Sequence, residues 1–169
     1  MIIIVPHNSM NRAYLITGGN LGDRAANLAK ALLHISQEAG TIVAASALYE
    51  TEAWGKTNQP AFLNQAIIID TGLDPLQLLH TILHIEKEIG RTRHQKWDAR
   101  TIDIDLIFYN QLVMNQPELT LPHPFFHERR FALTPMNEVA PGFVHPVLGQ
   151  SVSMLLQSCP DPLTARRIP

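Results

Sequence analysis

The sequence predicts an α+β fold whose core has the order β-α-β-β-α-β. Four segments carry the alternation or the β-branched residues of strands, and two longer segments between them carry helical caps and stop signals. This order is the split βαβ, or ferredoxin-like, arrangement. After Asn110 the pattern changes to short apolar pieces and prolines, so we expect a C-terminal extension of short strands and helices.

Caps and turn residues set the boundaries of these elements. Strands are predicted over 13–17, 41–49, 62–70 and 101–109, and helices over about 23–38, 74–89 and 128–139, with a weak helix from 151. Asp74 followed by Pro75 is a helix N-cap with proline at the first helical position. Gly40 and Gly90 are helix stop signals.

Length and composition fit one globular domain. The chain has 169 residues, of which 46% are hydrophobic and 17% charged, so it is long enough to bury a substantial core. We expect residues 1–12 to form an N-terminal extension, with Met10 as an alternative start, and residues 13–169 to form the domain. The single cysteine, Cys159, excludes an intramolecular disulfide and a zinc site built from thiolates.

Charge and hydropathy restrict the classes of partner that the sequence predicts. A net charge of −2 argues against nucleic acid as a partner. No apolar run approaches the ~20 residues of a membrane span, and the apolar N-terminus is too short for a signal peptide and lacks a basic start. We therefore expect a cytoplasmic protein with neither a membrane nor a nucleic-acid partner. A monomer is the expected state, with a dimer as the alternative.

The run from Thr101 to Tyr109 is the most informative segment. Strand side chains alternate between faces, so Asp103 and Asp105 lie on one face, about 6–7 Å apart. The opposite face is expected to carry Ile102, Ile104, Leu106 and Phe108. Two close carboxylates repel each other unless a cation lies between them, so their face predicts a site for a hard metal ion.

A basic segment precedes this strand and contains Arg91, Arg93, Lys96 and Arg100. These side chains are good partners for phosphate oxygens. Together with Trp97 and the two carboxylates, they predict a metal–polyphosphate site. The alternative is a solvated strand face beside an ordinary surface loop.

Glu86 interrupts the apolar stripe predicted for the second helix, which consists of Leu76, Leu79, Ile82, Leu83 and Ile89. A carboxylate on a buried face needs a partner. Glu86 either bonds an arginine at the helix end for structural reasons, or it faces a ligand cleft behind the basic segment.

Two further motifs have weaker functional interpretations. The segment 18–22 resembles a phosphate loop but lacks the Lys-Ser/Thr of a Walker A motif, so a tight turn with Asn20 or Asp23 as helix cap is favoured. His80 and His84 have metal-ligand spacing on a helix. They lie opposite the apolar stripe and lack a third ligand, which favours a solvated face.

Short motifs follow one another in a specific order along residues 13–150. They are Gly18-Gly-Asn-Leu-Gly-Asp-Arg24, Tyr49-Glu-Thr51 with Trp54-Gly55, Gln59-Pro-Ala-Phe-Leu-Asn64, Ile85-Glu86 with Gly90-Arg-Thr-Arg93, Trp97-Asp-Ala-Arg-Thr-Ile-Asp-Ile-Asp-Leu106, Leu121-Pro-His-Pro124 and His127-Glu-Arg-Arg-Phe131. The set resembles the 6-hydroxymethyl-7,8-dihydropterin pyrophosphokinase family, of which Arg-Thr-Ile-Asp-Ile-Asp is the most diagnostic stretch.

The resemblance implies a magnesium-dependent transferase of folate biosynthesis. Such an enzyme transfers pyrophosphate from its co-substrate ATP to 6-hydroxymethyl-7,8-dihydropterin, giving the pterin diphosphate and AMP, with two Mg²⁺ ions. By motif position Asp103 and Asp105 would bind both ions, and the catalytic set would add Arg91, Arg93 and Arg100. The ATP set would be Glu86, Arg91, Arg93, Trp97, Arg100, Leu106, Thr120, His123 and Arg129. The pterin set would be Thr51, Trp54, Phe62, Asn64, Trp97 and Phe131.

The chain departs from the family pattern at several positions. Glu52 and Ala53 stand where proline is common, which would make that loop less rigid. Leu83, Glu118 and Phe125 occupy positions where polar or basic residues occur in the family, so their ATP contacts do not carry over. The resemblance and the local charge also predict that residues 91–100 are a mobile lid over both ligands.

Two other classes of function stay open from the residues alone. A magnesium-dependent nuclease or phosphohydrolase would also use two carboxylates and arginines, but it needs a third acidic ligand and a water-activating base. A non-catalytic ferredoxin-like module could instead bind nucleotides or RNA.

Overall fold

The computed structural model describes residues 10–53, 58–91 and 99–169. Its strands are β1 (Asn11–Gly19), β2 (Thr41–Ala45), β3 (Tyr49–Thr51), β4 (Phe62–Thr71), β5 (Asp103–Tyr109), β6 (Met114–Asn115), β7 (Thr120–Leu121) and β8 (Ala165–Arg167). Its helices are α1 (Arg24–His34), α2 (Pro75–Glu88), α3 (Arg130–Val139) and α4 (Val152–Gln157). Within these ranges, no helix has the length and apolar character that a membrane span requires.

One antiparallel sheet forms the centre of the fold. Its strands follow the order β5-β1-β4-β3-β8, and β2 also pairs with β4. The predicted core strands therefore lie in the order fourth, first, third, second, which is the order of a ferredoxin-like sheet. β6 and β7 pair separately in the C-terminal extension. The predicted α+β fold with its C-terminal extension is confirmed.

The sheet separates two apolar cores. One core packs α1 and α2 against strand residues such as Leu15 and Ile67. The other packs α3 and α4 against the opposite face, where Tyr14 and Ile68 lie. Neighbouring residues of β1 and β4 enter different cores because successive strand side chains point to opposite faces.

Local caps set the helix boundaries. The Asp74 carboxylate accepts a hydrogen bond from the amide of Gln77 at 2.9 Å, and the Gln77 side chain accepts one from the amide of Asp74 at 3.0 Å. This reciprocal pair satisfies two amides at the start of α2, so the predicted cap is confirmed. At the end of the first helix, the amide of Gly40 bonds the carbonyl of Ile35 at 3.1 Å, which confirms Gly40 as the stop.

Two predicted helices differ in detail from those observed. The first ends its α-helical part at His34, and a π-helical turn over Ile35–Ala39 fills the remaining positions. The helix predicted from Glu128 begins instead at Arg130, because a 3-10 turn occupies Phe126–Glu128.

The buried face of α2 is rotated from the predicted stripe. Leu78, Ile82 and Ile85 are fully buried, and Glu86 beside them is 2% exposed. These four positions form one continuous helical face. Leu83 is 37% exposed, so its assignment to the apolar stripe is wrong.

The predicted strand at 41–49 is divided into β2 and β3. The hydroxyl of Ser46 accepts the amide of Ala66 at 3.0 Å, and the carbonyl of Ser46 accepts the Gln65 side chain at 2.7 Å. These bonds replace regular strand pairing, so the segment between β2 and β3 has one residue more than the part of β4 that faces it. The prediction of one continuous strand is therefore wrong.

β5 contains a bulge that the alternation pattern does not reveal. Phe108 pairs with Tyr14 and Leu106 pairs with Leu15, which leaves Ile107 as an extra residue on β5. Phe108 consequently lies in the α3–α4 core, whereas Leu106 lies in the α1–α2 core. The prediction that these two side chains share a face is wrong.

The sheet also extends beyond the predicted strands at both ends of the chain. β1 begins at Asn11, before the predicted start at Ala13. β8, which the sequence pattern did not predict, pairs with β3 at the edge of the sheet. The amide of Ile168 then bonds the carbonyl of Leu48 at 2.8 Å, and the Ile168 side chain packs against the α1–α2 core.

Candidate active site

The predicted site lies where β5, β1, β4 and β3 run side by side. Asp103 is opposite Gly18, and Gly18 is also opposite Asn64. Asn64 is in turn opposite Tyr49. Cross-strand partners point to the same face of a sheet, and a Cβ on Gly18 would lie 2.5 Å from Oδ1 of Asn64. The absence of a side chain at Gly18 therefore leaves space between the carboxylate and the amide.

Two arginines hold Asp103. Nη1 of Arg91 lies 2.7 Å from Oδ1, and Nη1 of Arg100 lies 2.8 Å from Oδ2. Asp105 lies on the same strand face, as the alternation predicted. Burial, followed by the charge of Asp103, raises the pKa of Asp105 well above its usual range. This face of β5 thus carries unfavourable negative charge that a cation would relieve.

Glu86 lies directly behind these groups. Its Oε1 accepts the amide of Ile104 at 2.7 Å, and its Oε2 pairs with Nη1 of Arg91. Burial raises the pKa of Glu86, while these two contacts oppose the shift. Arg91 therefore bridges a buried carboxylate on α2 and Asp103 on β5. The contact with an arginine is the first of the two alternatives from the sequence. The second, that Glu86 faces a ligand cleft, stays a prediction.

Three further residues predicted for ATP, Leu106, Thr120 and His123, lie within β5 or next to it. Leu106 is buried within the strand, and Thr120 is exposed on β7. His123 is anchored by its amide, which donates to the bulge carbonyl of Ile107 at 2.9 Å. Burial, followed by the positive charge of Arg129, lowers the pKa of His123 to about 4, so the imidazole is neutral at neutral pH.

Arg129 lies between two aromatic rings. Its guanidinium carbon is 5.3 Å from the ring centre of Phe125 and 5.8 Å from that of Phe131. Both distances are within the range of a cation–π contact. Phe125, where the chain departs from the family pattern, thus contacts a predicted ATP residue, and Phe131, predicted for the pterin, contacts the same guanidinium.

The residues predicted for the pterin lie on β3 and β4. Nδ2 of Asn64 donates to Oγ1 of Thr51 at 3.0 Å, and both side chains are buried. Phe62 lies on the same face of β4 as Asn64, with the guanidinium of Arg100 5.9 Å from its ring centre. Arg100 thus lies next to both Asp103, which is predicted to bind metal, and Phe62, which is predicted to contact the pterin.

Four predicted residues fall outside the described ranges. These are Arg93, Lys96 and Trp97 from the basic segment and Trp54 from the loop after β3. The predicted lid over 91–100 also lies largely outside the described residues.

Asn20 is a site residue that the sequence reasoning did not identify. It is 2% exposed, its backbone amide donates to the carbonyl of Arg100 at 3.0 Å, and its Oδ1 accepts the amide of Arg100 at 2.8 Å. Its Nδ2 donates to the carbonyl of Pro60 at 3.1 Å. The helix cap is Asp23, which accepts the amide of Ala26. Asn20 lies between Gly19 at the end of β1 and Gly22 before α1, and this place in a tight turn was the available sequence signal for its role.

Two positions away from the centre behave as ordinary surface. Nε2 of His80 lies 3.0 Å from Oε2 of Glu118, and both side chains are exposed. This pairing agrees with the solvated-face interpretation of His80 and His84. In the part of the chain that the structure describes, no three His, Cys, Asp or Glu side chains are grouped as a metal site.

The sequence matches, over residues 14–141, the family model described as 7,8-dihydro-6-hydroxymethylpterin-pyrophosphokinase. It is 44% identical over 160 residues to a 2-amino-4-hydroxy-6-hydroxymethyldihydropteridine pyrophosphokinase of Methylorubrum extorquens, covering 94% of this chain and 99% of that protein. The protein of the same name from Bacillus subtilis is 40% identical over 130 residues, covering 76% of this chain and 78% of the other.

Solved structures share the fold. The wild-type HPPK-DHPS of Plasmodium falciparum, crystallised with pteroate, superposes with a TM-score of 0.70 at 17% identity, over 88% of this chain and 44% of that chain. The present chain thus spans less than half of that longer protein. The family model and the two bacterial relatives carry the assignment: the chain belongs to the 7,8-dihydro-6-hydroxymethylpterin-pyrophosphokinase family and is a pyrophosphokinase of folate biosynthesis.

Proposed function

We propose that this protein transfers the β,γ-pyrophosphoryl group of ATP to the hydroxymethyl oxygen of 6-hydroxymethyl-7,8-dihydropterin, with two Mg²⁺ ions. The products are the pterin diphosphate and AMP. One observation carries the proposal beyond family membership. The carboxylates of β5 and the Thr51–Asn64 pair lie on one face of the sheet on either side of Gly18, so a polyphosphate and a flat heterocycle bound to them would meet.

Asp103 and Asp105 would hold the metal ions. Both are oxygen donors on one strand face, and burial, followed by the charge of Asp103, raises the pKa of Asp105, which a bound cation would oppose. Two carboxylates leave most of an octahedral shell to phosphate and water oxygens, which is the usual way that proteins bind Mg²⁺. When bound, the ions would neutralise phosphate charge and make the pterin hydroxyl group more acidic.

The arginines would bind the phosphate oxygens. Arg91 and Arg100 both contact Asp103, so phosphates beside that carboxylate would lie within their reach. Arg129, fixed between two rings, would add a third guanidinium, and Arg93 is proposed by motif position. The neutral His123 would act as a hydrogen-bonding partner rather than as a charge. Glu86, Trp97, Leu106 and Thr120 complete the proposed ATP set.

The pterin would lie against aromatic rings with its polar edge towards β3 and β4. Phe62 and Phe131 would sandwich the ring system, and the buried Thr51 and Asn64 would bond its polar edge. A polar pair of this kind selects a heterocycle by hydrogen bonding while the aromatic faces supply apolar contact. By their place in the family motifs, Trp97 is proposed to close over the pocket and Trp54 to belong to the pterin set.

No protein nucleophile is needed for this transfer. The hydroxymethyl oxygen forms a bond to the β-phosphorus, and the bond from that phosphorus to the oxygen bridging to the α-phosphate breaks. The bridging oxygen leaves with AMP, and the hydroxyl proton passes to solvent. The side chains contribute alignment and charge neutralisation, which account for most of the catalysis in phosphoryl transfer.

A magnesium-dependent turnover assay tests this function. We expect AMP, and no ADP, to form only when both ATP and the dihydropterin are present, with phosphorus NMR identifying the pterin diphosphate. Pterin-dependent formation of ADP would contradict the pyrophosphoryl transfer. Hydrolysis of ATP without the pterin would favour a phosphohydrolase, and nucleotide binding without turnover would favour a binding module. Addition of EDTA should abolish turnover, and added Mg²⁺ should restore it.

A further inference from the structure

The C-terminal strand lies against the strand that carries a proposed pterin residue. β8 pairs with β3 in the antiparallel register Tyr49 to Arg167, Glu50 to Arg166 and Thr51 to Ala165. β3 is short, and its other neighbour is β4, which carries Phe62 and Asn64. β8 therefore completes the hydrogen bonding of β3 on the side away from the centre of the site.

The side chain of Glu50 points to the face of β3 opposite Thr51, where it connects β3 to β8 and to α1. Its Oε1 accepts a hydrogen bond from Nη2 of Arg166 at 2.7 Å, and its Oε2 lies 2.8 Å from Nη2 of Arg24. Nη1 of Arg24 also donates to the carbonyl of Ala61 at 2.7 Å. Ala61 immediately precedes Phe62. The contacts with Arg166 and Arg24 lower the pKa of Glu50, so the carboxylate stays ionised at neutral pH.

We infer that Glu50 is a positioning residue for the pterin side of the site. Through Arg166 it fixes β8 against β3, and through Arg24 it fixes the chain just before Phe62. Because successive strand residues point to opposite faces, Glu50 itself does not face the substrate. It sets the backbone from which Thr51 and Phe62 project. This inference rests on the proposed function, which assigns these two side chains to the pterin.

The exposure of the network favours positioning over stability. The side chain of Arg166 is 71% exposed, and those of Arg24 and Glu50 are 31% and 23% exposed. An ion pair with a partner as open to solvent as Arg166 contributes little to the free energy of unfolding. A small displacement of binding groups can nevertheless cost much affinity, because the ligand then meets its partners at the wrong distance.

The test is the Glu50→Gln variant of the full chain. We expect its Kd for the dihydropterin to rise about fivefold or more, while its KM for ATP and its kcat at saturating pterin stay within about twofold of wild type. Asp70→Asn is the matched control. It removes a carboxylate that pairs with Arg12 at 2.9 Å at the far end of β4, and it should leave pterin affinity unchanged.

A second variant and a second measurement keep the test decisive. Arg166→Met removes an exposed partner of Glu50 without touching Arg24, so it should weaken pterin binding in the same direction even if Glu50→Gln does not fold. Hydrogen exchange of the β3 amides should accelerate in both variants. A wild-type Kd in Arg166→Met would overturn the inference, as would equal losses in pterin and ATP affinity. Absence of pterin binding by the wild-type protein would instead contradict the proposed function.

Discussion

Arg91 connects two carboxylates with different surroundings. Its guanidinium pairs with the buried Glu86 and with Asp103, which faces the site. Arg100 pairs with Asp103 from the other side, and Asp105 lies on the same strand face. Arg129 and Arg100 add positive charge near Asp105, whose pKa is nevertheless raised by burial and by the charge of Asp103. A buried carboxylate beside a second one favours a bound divalent cation, and the guanidinium groups around the pair suit phosphate oxygens.

Removing either aspartate should therefore affect activity much more than stability. We expect Asp103→Ala or Asp105→Ala to lower kcat on the order of a hundredfold, which corresponds to a loss of at least ~3 kcal/mol of transition-state stabilisation. Asp105→Ala removes a carboxylate that burial disfavours, so its melting temperature should be unchanged or higher. Asp103→Ala also breaks the ion pairs with Arg91 and Arg100, so its melting temperature should be lower. Steady-state kinetics at saturating Mg²⁺ and thermal unfolding measure the two effects. Near-wild-type turnover in both variants would place the metal site elsewhere.

Phe125 offers a second test at the level of single residues. Phe125 is 51% exposed. Among the described residues, its ring contacts the imidazole of His123 and the guanidinium of Arg129. An exposed cation–π contact is worth ~0.5–1 kcal/mol. We expect Phe125→Ala to raise the KM for ATP about two- to fivefold without changing the melting temperature, and Phe125→Tyr to restore it. Equal KM values for all three proteins would show that Phe125 does not hold Arg129.

The elements that the sequence predicted well are those with strong local signals. The Asp74-Pro75 cap and the stop at Gly40 depend on neighbouring residues, and both occur as expected. The bulge at Ile107 has no comparable signal, because an extra strand residue is defined only by its partner strand. The bulge also has a structural use, since its carbonyl anchors His123.

β8 is a strand that local sequence signals do not predict. Its three residues, Ala165–Arg167, lack the β-branched and aromatic side chains that favour strands. The segment is extended because β3 offers an unpaired edge and because Ile168 packs against a core far away in sequence. Local propensity cannot predict a strand of this kind.

The cap of α2 gives a prediction at the level of the element. Replacing Asp74 by alanine removes the acceptor for the amide of Gln77 and breaks the reciprocal pair. We expect a loss of ~1 kcal/mol in the free energy of unfolding and a melting temperature lower by about 2–4 °C. Asp74→Asn, which also caps well, should stay close to wild type. Identical destabilisation by both substitutions would show that the negative charge, rather than the cap, stabilises the helix.

At the scale of the whole molecule, the site depends on contacts between distant parts of the chain. Glu50 and Arg166 are separated by 116 positions, and Asn20 and Arg100 by 80. The sequence identified the residue types near the centre because alternation and motif order are local properties. It could not identify these pairs, since no spacing rule connects an acid on one strand with a base on a terminal strand. Tertiary packing alone brings them together.

His145 links the pH of the solution to the stability of the whole fold. It is 4% exposed, and its Nδ1 accepts the amides of Val147 and Leu148, each at 3.2 Å. Burial, followed by the nearby charge of His127, lowers the pKa of His145. The buried ring is therefore neutral, because a proton on Nδ1 would point at two N–H groups.

Acidification should consequently destabilise the native protein through this residue. The unfolded chain binds a proton at His145 near the ordinary histidine pKa of about 6.5, whereas the folded chain binds it only at lower pH. The contribution is thus fully present above about pH 6.5 and is lost as the pH falls towards the folded pKa. We expect urea unfolding to give a lower free energy at about pH 5.5 than at about pH 7.5. His145→Asn keeps an acceptor near Nδ1 but cannot titrate, so it should lose less stability between these two pH values. An equal loss in the variant and the wild type would assign the acid sensitivity to other groups.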